Sequence, residues 1–262
     1  LESILSGTTT ALVMYFHPAH NHRGAVEVGL RHVTGPGFFS FPGPDNLTWD
    51  QRMDLARAWP QTLSEIGGPY VPLALTPHCP LTVKPEHLRQ IGELAIEQGA
   101  IITVHTSENV PENDDTIAAH GERPTHLLDV TGILDLTPVL AHGVHLNEAE
   151  RLLIAAKGAH VAHCPGSNLK LASGAADLVQ YREDGITVGL GSDGSSTSND
   201  LDMFTVMRLA ANLARLVRSD PAAITSTQIV RSATIDGATA LGMTDRIGSL
   251  EVGKEADVIS LA

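Results

Sequence analysis

Six segments of this sequence carry side chains that can do chemistry, and five of them sit where a β-strand should finish. "TPHCP" places His78 after an apolar run, "VHTSEN" places His105 with Glu108 three residues on, and "LAHGVHL" places His142. "VAHCPGSNLKL" places His163 with Asn168 close behind, and "GLGSDGSSTSND" places Asp193. Histidine nitrogens and a carboxylate that converge on one place suit a divalent metal with N and O ligands. A carboxylate beside such a metal but not bound to it, Glu108, suits proton transfer. Any one strand-end histidine is ordinary, and Asp-Gly by itself favours a turn. Five successive strands that each end in His or Asp form a series that independent accidents explain poorly.

The sixth segment is "HPAHNHRG", with His20 and His22 one residue apart. In an extended chain this spacing points both rings to one side. Here the pair falls several residues beyond the strand "ALVMYF", in a loop or early helix, where residues two apart face different ways. It has the letters of a ligand pair in the wrong place. His17 lies closer to the strand end and could line a pocket. His32, His87, His120, His126 and His160 read as packing or surface residues, and His145 as a loop residue.

The elements that must hold these groups are visible as alternating patterns. Strands are expected at 10–16, 31–35, 71–77, 101–105, 138–142, 160–164 and 186–192. Helical stretches such as "PEHLRQIGELAIEQG", "NEAERLLIAAKG" and "ADLVQYREDG" lie between them and end in Gly, which suits a helix C-terminus. Near-continuous apolar strands alternating with amphipathic helices indicate a parallel sheet. Seven β-then-α units are one short of a closed (β/α)₈ barrel, in which chemistry sits at the strand C-termini. "LESILSG" reads as the end of a helix stopped by Gly7. The expectation is therefore an α/β fold of TIM-barrel type over residues 1–242 whose first strand lies upstream of Leu1, with an open doubly wound sheet as the alternative. Residues 243–262 read as part of a small β domain, with an alternating strand at "ADVISL".

Composition narrows the function classes. The 262 residues include 17 Lys+Arg against 30 Asp+Glu, a formal charge of −13. That acidity argues against nucleic acid as a partner. No apolar run approaches the roughly 18 residues of a membrane span. Two distant cysteines make no disulfide framework and point to a reducing, cytoplasmic compartment.

Together, "MYFHP", "TPHCPLTV", "VHTSEN", "LAHGVHL", "VAHCPGSNLKLASG", "GLGSDGSSTSNDLDMF" and "RIGSLEVGKEADVISL" resemble the amidohydrolase superfamily, over nearly the whole chain. The chlorohydrolase and S-adenosylhomocysteine/methylthioadenosine deaminase branch is the most similar. The resemblance implies a metal-dependent (β/α)₈ barrel plus a small β domain, with one divalent ion, zinc before iron or manganese. It implies His105 and Asp193 as metal ligands, Glu108 as proton shuttle, His142 as the group that orients water and substrate, and Asp193 also as a base. His78, Glu108, His163 and Asn168 would contact substrate, with Ser167 shaping the pocket wall. The family's H-x-H ligand pair belongs to a first strand not found in this sequence. "TGPGFF" puts Pro36 where some methylthioadenosine-type members have an Arg. The implied activity is a hydrolase of non-peptide C–N bonds, an aminohydrolase acting on an amino-substituted N-heterocycle (adenosine-like, other purine, pyrimidine or pterin) and working as a homo-oligomer. The alternatives are a chlorohydrolase or cyclic amide hydrolase acting on a triazine-like ring, and a non-catalytic scaffold. With two of four expected ligands, the printed chain is expected to bind metal weakly and to be inactive.

Overall fold

Helix boundaries follow the local chemistry of the chain. Thr48 and Gln51 form a reciprocal capping box that starts the helix Trp49–Ile66, and Asn147 and Glu150 do the same for the helix Glu148–Lys157. The helices Pro85–Gln98 and Glu148–Lys157 both stop at a left-handed glycine, Gly99 and Gly158. All three helical stretches read from the sequence are present, the third shortened to Leu178–Glu183.

The computed structural model describes residues 1–260. Its strands are β1 (Thr10–Val13), β2 (Arg31–Thr34), β3 (Gly37–Phe38), β4 (Ala74–Pro77), β5 (Ile101–Thr106), β6 (Val139–His142), β7 (His160–His163) and β8 (Thr187–Leu190). Each of the seven expected strands has a counterpart, generally shorter than expected. The two-residue β3 was not foreseen: its partner β4 and not its own sequence makes it a strand, through Gly37 opposite Thr76 and Phe38 opposite Pro77. The pairings β1–β2, β3–β4, β4–β5 and β7–β8 are all parallel. Helices separate most consecutive strands, so the α/β expectation holds.

The chain divides into two compact units. The first holds Thr10–Ser107 and Pro111–Leu140, and the second holds Glu2–Thr9, Glu108–Val110 and the residues from Ala141 onward. In the first unit β1 pairs with β2, and β3, β4 and β5 are neighbours in that order. Its core contains Phe38, Trp59, Leu75, Leu88, Ile91 and Ile102, all fully buried. Gly35 lets β2 lead into β3 close against β4: a Cβ there would stand 1.7 Å from the carbonyl oxygen of Ala74. In the second unit β6, β7 and β8 are neighbours, over a core that includes Ile154, Val161, Val188 and Ala210.

Residues 256–260 form no strand. Alternation alone does not make a strand, because extended backbone needs a neighbour to pair with. Here Val258 and Ile259 are exposed, and the described backbone bonds are local, Glu255 N–H to Arg246 and Asp257 N–H to Glu255. Leu261, the end of the expected strand, lies outside the described residues.

Candidate active site

In the first unit, β4 and β5 bring two of the candidate histidines together. His78 follows β4 and His105 lies near the end of β5. The backbone N–H of His105 donates to the His78 carbonyl at 2.9 Å, and its ring Nδ1 lies 2.8 Å from the same oxygen. A carbonyl only accepts, so Nδ1 of His105 carries the proton and Nε2 carries the lone pair. The His78 ring lies 5.1 Å from the His105 ring, and its Nδ1 is 2.8 Å from the Thr82 hydroxyl. Burial, and secondarily the neighbouring His105, lowers the pKa of His78 from 6.5 to about 4.

The second unit gathers Glu108, His142 and Asn168. His142 closes β6 and is 2% exposed. The Asn168 side-chain amide donates to His142 Nδ1 at 3.1 Å, which leaves the imidazole proton on Nε2. That nitrogen stands 4.0 Å from Glu108 Oε2. The other carboxylate oxygen, Oε1, accepts from the Ser173 hydroxyl at 3.4 Å. Ser173 was not singled out in the sequence. Its backbone carbonyl is in turn 2.5 Å from His145 Nε2, so the loop residue His145 helps hold the segment that holds Glu108.

Asp193 stands three residues past β8, and its Oδ1 accepts from the Gly194 N–H at 2.7 Å. Burial pushes its carboxyl up, but the Ser167 and Thr197 hydroxyls, the Gly194 N–H and nearby His142 together outweigh burial, so the pKa falls below the ordinary carboxylate value. His163 ends β7 and is 1% exposed. Burial lowers its pKa to about 4, and neither ring nitrogen has a hydrogen-bond partner among the described residues. It therefore makes no hydrogen bond to Glu108, His142 or Asn168.

Three residues at or beside these positions are among the nine described non-glycine residues with left-handed backbone. Ser107, immediately before Glu108, His142 and Asp193 all adopt left-handed conformations (φ 49°, 71° and 62°). Each costs a non-glycine residue about 1–3 kcal/mol, a pattern found where the surroundings hold functional side chains in place.

His20 and His22 do not form a ligand pair. Both lie in the helix Pro18–Glu27, with His20 exposed and His22 buried. His22 Nδ1 is 3.1 Å from the carbonyl oxygen of His32. His17 is the exposed residue that precedes this helix. Among the described residues no three His, Cys, Asp or Glu side chains gather in a metal-binding group. No helix among them is long and apolar enough to cross a membrane.

Comparison with known proteins extends the residue-level picture. A 5-methylthioadenosine/S-adenosylhomocysteine deaminase of Moorella thermoacetica is 39% identical over 259 residues, which cover 99% of this chain and 60% of that protein. The crystal structure of a zinc-bound adenosine deaminase from Xanthomonas campestris superposes with a TM-score of 0.90 at 36% identity, over 97% of this chain and 58% of that one. A zinc complex of atrazine chlorohydrolase from Arthrobacter aurescens gives a TM-score of 0.86 at 24% identity, over 97% and 60% of the two chains, a likeness of fold alone. The chain thus spans about 60% of the length of the curated relative it matches. The parallel β/α order fits the barrel that the sequence motifs imply. The Amidohydrolase family profile matches residues 1–262, and the chain belongs to that family.

Proposed function

We propose that this chain is the catalytic part of a metal-dependent aminohydrolase that deaminates an adenosine-type nucleoside of the methylthioadenosine class. The observation that carries the reading is the linked set Asn168–His142–Glu108. Asn168 holds the imidazole in one tautomer, and that tautomer turns its N–H toward a carboxylate anchored at its far oxygen by Ser173. A carboxylate with one oxygen held by a hydroxyl and the other facing an imidazole N–H can take a proton and return it. That is what deamination requires, because water must lose a proton while the heterocycle gains one. The name of the relative from Moorella thermoacetica supports a substrate of the nucleoside class.

The donor chemistry of two residues fits a divalent cation. His105 has Nδ1 committed as a donor and so presents Nε2 as a ligand, the arrangement usual for metal-bound histidine. Asp193 is held in its anionic form and offers oxygen. Zinc is the favoured ion, since the adenosine deaminase at 36% identity was solved with zinc bound. When bound, such an ion supplies Lewis acidity to water near neutral pH. In the chain itself, Glu108 Oε2 moves the proton from water toward the ring nitrogen beside the reacting carbon. His142 Nε2–H orients the oxygen that attacks and stabilises charge as it develops. Asp193, kept ionised, can accept a proton late and pass it to departing ammonia. His78, neutral near pH 7, contacts substrate as a hydrogen-bonding group without charge. His163 contributes a buried polar wall.

Ammonia release from a metal-loaded protein that contains this chain together with the family's H-x-H strand, measured over 5′-methylthioadenosine, adenosine, guanine and a chlorotriazine, tests the reading; these 262 residues alone are expected to stay inactive. Release from the adenosine compounds supports it. Chloride release from the triazine, or no turnover of any nucleoside, overturns it. The proposal extends to a homo-oligomer in the cytoplasm, which size-exclusion chromatography and cell fractionation test.

A further inference from the structure

In the second unit Asp193 leads straight into a turn with little internal support. The Gly194 N–H donates to Asp193 Oδ1 at 2.7 Å. The Gly194 carbonyl accepts from the N–H groups of Thr197 and Ser198, both at 2.9 Å, and from the Thr197 hydroxyl at 2.8 Å. These bonds close a helix of four residues, Ser195–Ser198. A helix that short is not stable through its own hydrogen bonds. It also lies between two left-handed non-glycine residues, Asp193 (φ 62°) and Asn199 (φ 76°). Such conformations persist only where the surroundings impose them.

The helix Pro165–Lys170 of the same unit supplies those surroundings. Gly166 permits close approach: a Cβ there would stand 3.4 Å from the Cβ of Ser198. Lys170 Nζ donates to the Ser196 carbonyl at 2.8 Å and to Asn199 Oδ1 at 2.5 Å. The last carbonyls of a helix have no partner within it, so an ammonium at that end satisfies both the orphan oxygen and the helix dipole. Two residues earlier in the same helix, Asn168 donates to His142 Nδ1. One six-residue helix therefore holds His142 at one position and closes the turn after Asp193 at another.

We infer that Lys170 is a positioning residue: its ammonium clamps the far end of the turn and through it fixes the Asp193 carboxylate. The effect on turnover rests on the deaminase reading, whereas the effect on the turn and on a cation at Asp193 does not. Lys170 is exposed, so replacing it empties no part of the core.

Two variants test this in the protein that contains this chain together with the family's H-x-H strand. Lys170→Met keeps the apolar stem and removes the donors, and Lys170→Arg keeps charge and donors. Amide hydrogen exchange at residues 197–199, zinc affinity by chelator competition, and kcat and KM for ammonia release from 5′-methylthioadenosine are measured on each, with the urea midpoint as control. Lys170→Met is expected to speed exchange at these amides about tenfold while the urea midpoint stays where it was. Zinc affinity and kcat each fall about tenfold, the lower end for a lost supporting partner, with KM within about twofold of the parent. Lys170→Arg recovers most of each change. Unchanged exchange, or faster exchange with unchanged zinc affinity and kcat, overturns the inference. So does an equal loss in both variants, or a lowered urea midpoint with faster exchange at every amide, which makes the contact merely structural. If exchange and zinc affinity respond as expected but the parent releases no ammonia, the clamp stands and the deaminase reading falls.

Discussion

His105 directs its backbone N–H and its ring Nδ1 at one acceptor, the carbonyl oxygen of His78, at 2.9 and 2.8 Å. Strand pairing thereby sets the tautomer of a candidate metal ligand. If His105 binds the ion through Nε2, His105→Gln lowers zinc affinity by at least about tenfold, since losing even a supporting partner of a ligand costs about 10–100-fold. Competition with a chromogenic chelator measures this. Chelator treatment of the parent protein abolishes ammonia release, and added zinc restores it.

The Glu108–His142–Asn168 set makes a graded prediction. Glu108→Gln retains shape and metal content but lowers kcat by about 10²–10⁴-fold, the range of a lost proton shuttle. Asn168→Leu removes only the group that holds His142 in its tautomer. It lowers kcat by a smaller factor with KM nearly unchanged. Steady-state kinetics with metal content determined in parallel checks both. A larger loss in Asn168→Leu than in Glu108→Gln would contradict the assigned roles.

Stability depends on pH through His32. Burial, and secondarily the charge of nearby His22, lowers its pKa from 6.5 to about 4. The unfolded chain therefore binds more protons between those values, so stability rises with pH. The contribution is complete above about pH 6.5 and is lost as pH falls toward 4, about 3 kcal/mol at most. Urea unfolding of the parent protein at pH 7.5 and 5 shows the decline, and His32→Leu shows a shallower one. An equal slope in the two proteins removes His32 as its source.

Arg52 and Asp45 form a buried ion pair, with 1% and 8% of their side chains exposed. Burial pushes the Asp45 carboxyl up, but the Arg52 hydrogen bond, the Leu47 N–H and the Arg52 charge together outweigh this and keep it below the ordinary value. Asp45→Ala strands the guanidinium and costs about 3–5 kcal/mol. The double variant Arg52→Met with Asp45→Ala recovers part of the loss, because no charge is then left buried alone. Chemical denaturation of the two variants and the parent decides the matter.

Much of the fold was legible because its signals are local. Apolar runs, capping residues and terminal glycines act within a few positions, so the seven expected strands and the helices from Pro85, Glu148 and Leu178 could be read directly. The strand-end positions of His105, His142, His163 and Asp193 followed from the same patterns. The spacing argument also separated His20 from His22: the helix exposes one and buries the other.

What the sequence determined by itself was thus the order of elements and the residue types delivered to their ends, since propensity and periodicity are properties of short windows of chain. Tertiary structure alone decided which groups those residues meet. His105 and His78 are 27 positions apart, Glu108 and Ser173 are 65, and Asn168 and His142 are 26. No local window contains both members of any of these pairs. β3 exists because β4 lies beside it, and residues 256–260 alternate like a strand yet form none. Hydrogen-bond tautomers, buried charges and backbone pairing depend on neighbours brought from far along the chain, and only packing of the whole supplies them.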